Sequence, residues 1–95
     1  MGELLVDPAR RKAIVGEREV RLAKKEFTLL RVLASDPTRV FAKEELLRDV
    51  WGLRGPAAKT RILDSHASRL RSKLDAEHRR YVVNCWGIGY RLIDD

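Results

Sequence analysis

The sequence predicts one small α+β domain, on three observations. The first 22 residues hold short apolar runs separated by turn residues. Stretches with helical spacing follow, the last of them the longest. Near the C-terminus, Gly87 and Gly89 bracket Ile88 between two strand-like runs. A chain of 95 residues is long enough for one core and too short for two, so residues 1–95 read as a single domain.

The elements follow in chain order. Residues 3–6 are an apolar run closed by Asp7-Pro8, a turn signal. Residues 13–15 end at Gly16-Glu17, and residues 19–22 alternate, with Val20 and Leu22 on one face. Three such strands make an N-terminal antiparallel meander. A helix over Lys24–Ala34 places Phe27, Leu30 and Ala34 on one face, with Leu29 and Leu33 beside them. Ser35-Asp36-Pro37 ends it, because proline disfavours helix for the residue before it. Val40-Phe41 is an extended link, and residues 43–50 form a second helix with Leu46, Leu47 and Val50 inward. Ala23 and Ala42 hold the N-cap sites, where Ser, Thr, Asp or Asn would contribute about 1 kcal/mol more. Phe27 and Trp51 are expected in the core, Trp51 anchoring a loop over residues 51–58 that Gly52, Gly55 and Pro56 interrupt. The third helix covers residues 59–74, its reading face lying over Thr60–Leu74. Residues 81–84 and 89–93 form a terminal hairpin through Trp86-Gly87-Ile88-Gly89, whose glycines supply positive φ and close backbone approach. Two short helices, a longer polar-faced one and a hairpin together spell a winged helix-turn-helix.

Charge points to the same region. The formal net charge is +6. Residues 1–53 hold 11 Lys/Arg and 9 Asp/Glu, residues 54–80 hold 8 and 3, and residues 81–95 hold 1 and 2. A localised basic segment is the electrostatic footprint of a polyanion partner. No apolar run approaches the roughly 20 residues of a membrane span. The first residues do not read as a signal peptide, and Cys85 is alone, so the expected location is the cytoplasm.

On a helical wheel, Ala67, Leu70 and Leu74 fall within about 40° of Leu63, leaving a narrow apolar seam. Arg61, Ser65, Ser68, Arg69 and Ser72 lie opposite, flanked by Asp64, His66 and Arg71. A helix built only for solubility more usually mixes Glu and Lys four apart; here Asp64 is the only acid between Arg61 and Leu74. Small hydroxylated residues between arginines let a helix sit deep in a DNA major groove about 12 Å wide, where arginine pairs bidentately with guanine. Arg69 is the expected base reader, and Arg71 the phosphate contact. His66 has no second ligand at metal spacing and reads as a phosphate donor or a surface residue. In the hairpin, Asn84, Trp86 and Arg91 are placed to meet the DNA backbone, while Tyr90 and Leu92 finish the core.

No glycine-rich phosphate loop, Ser-His-Asp spacing or metal cluster is visible, so no catalysis, metal or cofactor is expected. Two binding readings compete with DNA. A winged-helix module contacting RNA polymerase or another regulator without base readout would present an uncharged or acidic face over Thr60–Leu74, where this face is basic. A sequence-specific RNA module would show exposed aromatics for stacking, and Trp86 is the one candidate.

Four segments resemble the OmpR/PhoB winged-helix output domains of bacterial two-component response regulators. They are Lys25-Glu26-Phe27-Thr28-Leu29-Leu30, then Glu45-Leu46-Leu47-Arg48-Asp49-Val50-Trp51-Gly52, then Arg69-Leu70-Arg71-Ser72-Lys73-Leu74, and last Trp86-Gly87-Ile88-Gly89-Tyr90-Arg91-Leu92. Their order and spacing carry the resemblance over nearly the whole chain. It implies a transcription-regulating domain that follows a receiver domain and binds promoter direct repeats of double-stranded DNA as a head-to-tail dimer. It also implies a four-stranded N-terminal sheet, the fourth strand near Val40-Phe41. The loop over residues 51–58 matches the segment that turns toward RNA polymerase. Arg61, His66, Arg69 and Arg71 match positions that touch DNA. Trp86 and Ser68 depart from the pattern, standing where arginine is common, and Gly55-Pro56-Ala57-Ala58 carries none of the acids many activators place there.

Overall fold

A computed structural model describes residues 4–54, 60–74, 81–85 and 88–92. Strands β1 (Leu4–Asp7), β2 (Lys12–Val15) and β3 (Arg18–Arg21) form an antiparallel meander in that order. Helix α1 (Lys24–Ala34) leads into β4 (Phe41–Ala42), then α2 (Lys43–Leu46), which runs on into a π-helical turn over Leu47–Trp51. Helix α3 (Thr60–Leu74) and strands β5 (Val82–Cys85) and β6 (Gly89–Leu92) complete the described elements. This is the expected winged helix-turn-helix order, with α1 matching its predicted span.

The meander obeys period-2 alternation. Leu4, Val15, Ala13 and Val20 are buried on the face toward the helices, whereas Leu5 and Glu19 face outward. The core gathers Leu29, Leu30 and Leu33 of α1, Leu46, Leu47 and Val50 of the second helical segment, and Tyr81, Val82, Tyr90 and Leu92 of the hairpin region. Phe27 is buried as expected.

Three differences from the sequence reading have physical causes. First, the described N-terminal sheet has three strands, not four. β4 instead joins the hairpin in a second sheet of order β4-β6-β5, pairing Phe41 with Tyr90 and Ala42 with Gly89. Gly89 permits this pairing, because a Cβ there would lie 1.7 Å from the Phe41 carbonyl oxygen. Its φ is not in the left-handed region, so close approach rather than positive φ is the reason for glycine at 89. Second, the helix expected over residues 43–50 is α-helical only to Leu46. It then widens, ending at Gly52 with φ 72°. The Gly52 and Leu53 amides donate to Arg48 and Leu47 carbonyls at 2.9 and 3.1 Å, and Lys25 of α1 takes the Val50 carbonyl at 2.8 Å. Third, the alanine N-caps are not left bare. Glu26 and Glu45, each three residues on, accept from the Ala23 and Ala42 amides at 3.0 and 3.1 Å, the glutamate half of a capping box.

Candidate nucleic-acid interface

Helix α3 buries Leu63, Ala67, Leu70 and Leu74, the seam the wheel predicts. Its remaining faces are set by what holds each end. At the C-terminal end, the Arg18 guanidinium from β3 donates to the carbonyls of Lys73 and Leu74 at 3.0 and 3.4 Å. The last carbonyls of a helix lack partners within it, so a cation there satisfies hydrogen bonds and the helix dipole together. At the same end, the Lys73 ammonium meets the buried Glu26 carboxylate of α1 at 2.6 Å. Burial would raise the Glu26 pKa, but the hydrogen bonds from Lys73 and Ala23 and the charges of Lys73 and Arg69 outweigh it and hold the carboxyl below its ordinary value.

Near the N-terminal end, Asp64 accepts a 2.7 Å hydrogen bond from the Tyr90 hydroxyl of β6 and pairs with Lys43 of α2 at 3.2 Å. The Lys43 ammonium also stands 5.7 Å from the centre of the Tyr90 ring. Burial, then the Asp64 hydrogen bond and charge, push the Tyr90 pKa well above its ordinary value.

These ties sort the polar residues of α3 into two edges and a centre. Asp64 lies toward the wing, and so does Arg71, whose charge acts on Tyr90. Lys73, Arg69 and His66 lie toward α1 and the π-helical turn. Between them Arg61, Ser65, Ser68 and Ser72 are exposed. Thr60, Arg61, Asp64, Ser65, Ser68 and Arg69 line one shallow, open concavity on this face. Arg61 makes no hydrogen bond or ion pair with the described residues, while the Arg69 Nε turns back to the Ser65 carbonyl at 3.4 Å. The geometry therefore centres Arg61 and puts the exposed Arg69 at the edge that faces Glu26.

His66 is half-buried. Its Nδ1 lies 2.8 Å from the Ile62 carbonyl, and its ring meets Trp51 edge-on with centroids 5.1 Å apart. Trp51 is itself half-buried against the core rather than enclosed by it. In the hairpin, Arg91 is exposed on β6, and Asn84 is half-buried opposite Tyr90. The Asn84 Oδ1 is enclosed, with no hydrogen-bond partner among the described residues. Ile88 is exposed beside the turn. Trp86 lies outside the described residues, as does the 55–58 part of the loop, so only Trp51, Gly52, Leu53 and Arg54 of that loop are placed.

Sequence reasoning left Lys43, Tyr90, Glu26 and Arg18 out of the site. One signal was available: Asp64 is a lone acid on a basic helix face and needs a partner. The identity of that partner, 26 residues away in β6, has no local signature.

The family model described as transcriptional regulatory protein, C terminal, matches residues 17–92. An uncharacterized transcriptional regulatory protein of Bacillus subtilis, YclJ, is 40% identical over 80 residues, covering 84% of this chain and 35% of that protein. The DNA-binding response regulator MtrA of Mycolicibacterium smegmatis is 39% identical over 94 residues, covering 96% of this chain and 40% of that protein. The chain thus spans well under half the length of these relatives. Among solved structures, the DNA-binding domain of Klebsiella pneumoniae RstA, in complex with the RstA box, superposes with a TM-score of 0.82 at 29% identity. That match covers 96% of this chain and 91% of the other.

Proposed function

The chain belongs to the family of transcriptional regulatory protein C-terminal domains, and from that membership we propose that it binds double-stranded DNA sequence-specifically as the output domain of an OmpR/PhoB-type response regulator. The observation that carries the reading is the outer face of α3. It offers Arg61, Ser65, Ser68, Arg69 and Ser72 to solvent while four apolar residues root the helix in the core. A helix so presented inserts into a major groove, with small serines allowing close approach and arginines supplying charge and base contacts. Arg71 on the wing side and Arg91 on the hairpin serve the flanking phosphates, and His66 and Asn84 contribute from the margins. Trp86 adds an apolar contact to the sugar-phosphate backbone beside the wing.

The finer parts of the proposal rest on the family resemblance. Residues 1–95 act as one domain, working in the cytoplasm behind a receiver domain and without catalysis of its own. Two copies sit head to tail on promoter direct repeats about one helical turn apart. The loop over residues 51–58, where Leu53 is exposed, turns toward RNA polymerase.

Selection of bound duplexes from a random library, followed by fluorescence anisotropy on the enriched site, tests the reading. A defined motif and a log–log salt slope of roughly −3 to −6 per domain are expected. Failure to enrich any motif, with binding indifferent to salt, would leave a protein-contact module as the better account.

A further inference from the structure

The acid on the reading face of α3 is a problem for a helix that must approach phosphates. Asp64 stands three residues after Arg61, and residues so spaced on a helix are close enough to form an ion pair. Such a pair would withdraw the cation at the centre of the face. In the structure Asp64 turns the other way: its Oδ1 takes the Tyr90 hydroxyl at 2.7 Å and the Lys43 ammonium at 3.2 Å, and Arg61 is left exposed and unpaired among the described residues. Tyr90 is only 5% exposed, so its ring is fixed by the core and its hydroxyl is delivered at a set position. Lys43 begins α2 directly after β4, which pairs with β6, so both partners come from one rigid corner of the fold.

We propose that Tyr90, assisted by Lys43, is a positioning residue for DNA binding: it holds the Asp64 carboxylate against the wing and thereby keeps the Arg61 guanidinium free for DNA. This rests on the DNA-binding reading above. The hydroxyl touches no DNA in this account and acts only through Asp64 and Arg61. When it is lost, Lys43 alone must hold a carboxylate whose side chain is 41% exposed, and Arg61 competes for that group.

The test uses Tyr90→Phe, which keeps the ring, on the duplex selected by the unaltered domain, with thermal melts to verify folding. Tyr90→Phe is expected to weaken binding to the selected duplex about 3- to 10-fold at low salt and to narrow the preference at the one base pair that Arg61 reads. Adding Asp64→Asn to Tyr90→Phe should restore affinity to within about twofold, since an amide exerts no ionic pull on Arg61. The loss should also vanish in an Arg61→Ala background, because both changes act on the same cation. Additive losses, or no rescue by Asp64→Asn, overturn the proposal. If Tyr90→Phe does not fold, Asp64→Asn alone decides. Unchanged or tighter binding with the same base preference supports a restrained, non-contacting acid; a changed preference at one position makes Asp64 a base reader and overturns the proposal. If the unaltered domain selects no duplex at all, the DNA-binding reading itself fails, a result distinct from each of these.

Discussion

Replacing Glu26 with glutamine probes how the third helix is held to the first. The carboxylate is 2% exposed, and its Oε1 accepts from Lys73 at 2.6 Å and from the Ala23 amide at 3.0 Å. Glutamine keeps an acceptor for the amide and loses the charge. A hydrogen bond to a charged group contributes about 1.5–3 kcal/mol. Here the Lys73 side chain is 40% exposed and regains water when released, so the low end applies and Glu26→Gln should cost about 1–2 kcal/mol. The reverse change, Lys73→Met, should cost more, about 2–4 kcal/mol, because it strands a buried carboxylate instead of a half-exposed ammonium. For a domain of this size 1 kcal/mol moves the melting temperature about 4–8 °C, so Glu26→Gln should melt roughly 5–15 °C lower at neutral pH. The pH dependence has a definite sign. Burial raises the Glu26 pKa, yet the Lys73 and Ala23 hydrogen bonds with the Lys73 and Arg69 charges hold it below the usual 4.5. A carboxyl depressed on folding contributes stability that is fully present above its unfolded value and lost as pH falls through its folded value. The gap between wild type and Glu26→Gln should therefore be full at pH 7 and should close in acid, below the usual 4.5. Calorimetric melts of both proteins from neutral pH down to about pH 3 measure it. Equal melting temperatures at pH 7, a gap that persists unchanged in acid, or a milder effect from Lys73→Met would each refute the reasoning.

Other substitutions separate competing roles. Arg61→Ala should flatten the preference at one base pair by about 1–3 kcal/mol, whereas Arg69→Ala, from the edge facing Glu26, should weaken all duplexes about equally; single-base variants of the selected site distinguish the two. Gly89→Ala should destabilise by about 3 kcal/mol or more in chemical denaturation, since its Cβ would fall 1.7 Å from the Phe41 carbonyl and part β4 from β6. Gly52→Ala meets nothing within 4 Å and faces only its φ of 72°, so about 1–2 kcal/mol is expected, and a loss as large as that of Gly89→Ala would contradict the packing argument. Trp51→Ala should cost about 2–3 kcal/mol rather than the 3–5 of an enclosed aromatic, and NMR should show the His66 ring signals shifting as their edge-on partner disappears.

The parts of this protein legible in its sequence are those whose physics is local. Helical periodicity over Lys24–Ala34 and Thr60–Leu74 arises from hydrogen bonds between residues four apart, so the buried seam of Leu63, Ala67, Leu70 and Leu74 could be read residue by residue. The serine-and-arginine face opposite it followed from the same wheel. Local rules also held what was overlooked: Ala-x-x-Glu at residues 23–26 and 42–45 is half of a capping box, and it stabilises both helix starts without a polar N-cap.

Tertiary structure decided the partners. Phe41-Ala42 is extended on any local reading, but only a neighbour without a Cβ, Gly89, let it join β6 instead of the N-terminal sheet. Trp51 has the composition of a core residue, but the position of α3 leaves it half-buried with its edge on His66. Along α3 the cations look interchangeable in sequence, and their fates differ because of residues far along the chain. Lys73 is claimed by Glu26, 47 positions away, and Arg61 has no partner among the described residues while Asp64 is drawn to Tyr90, 26 positions away. Ion pairs and strand pairings form wherever packing brings charge and backbone together, and the sequence alone determined which faces exist while the fold determined what each face meets.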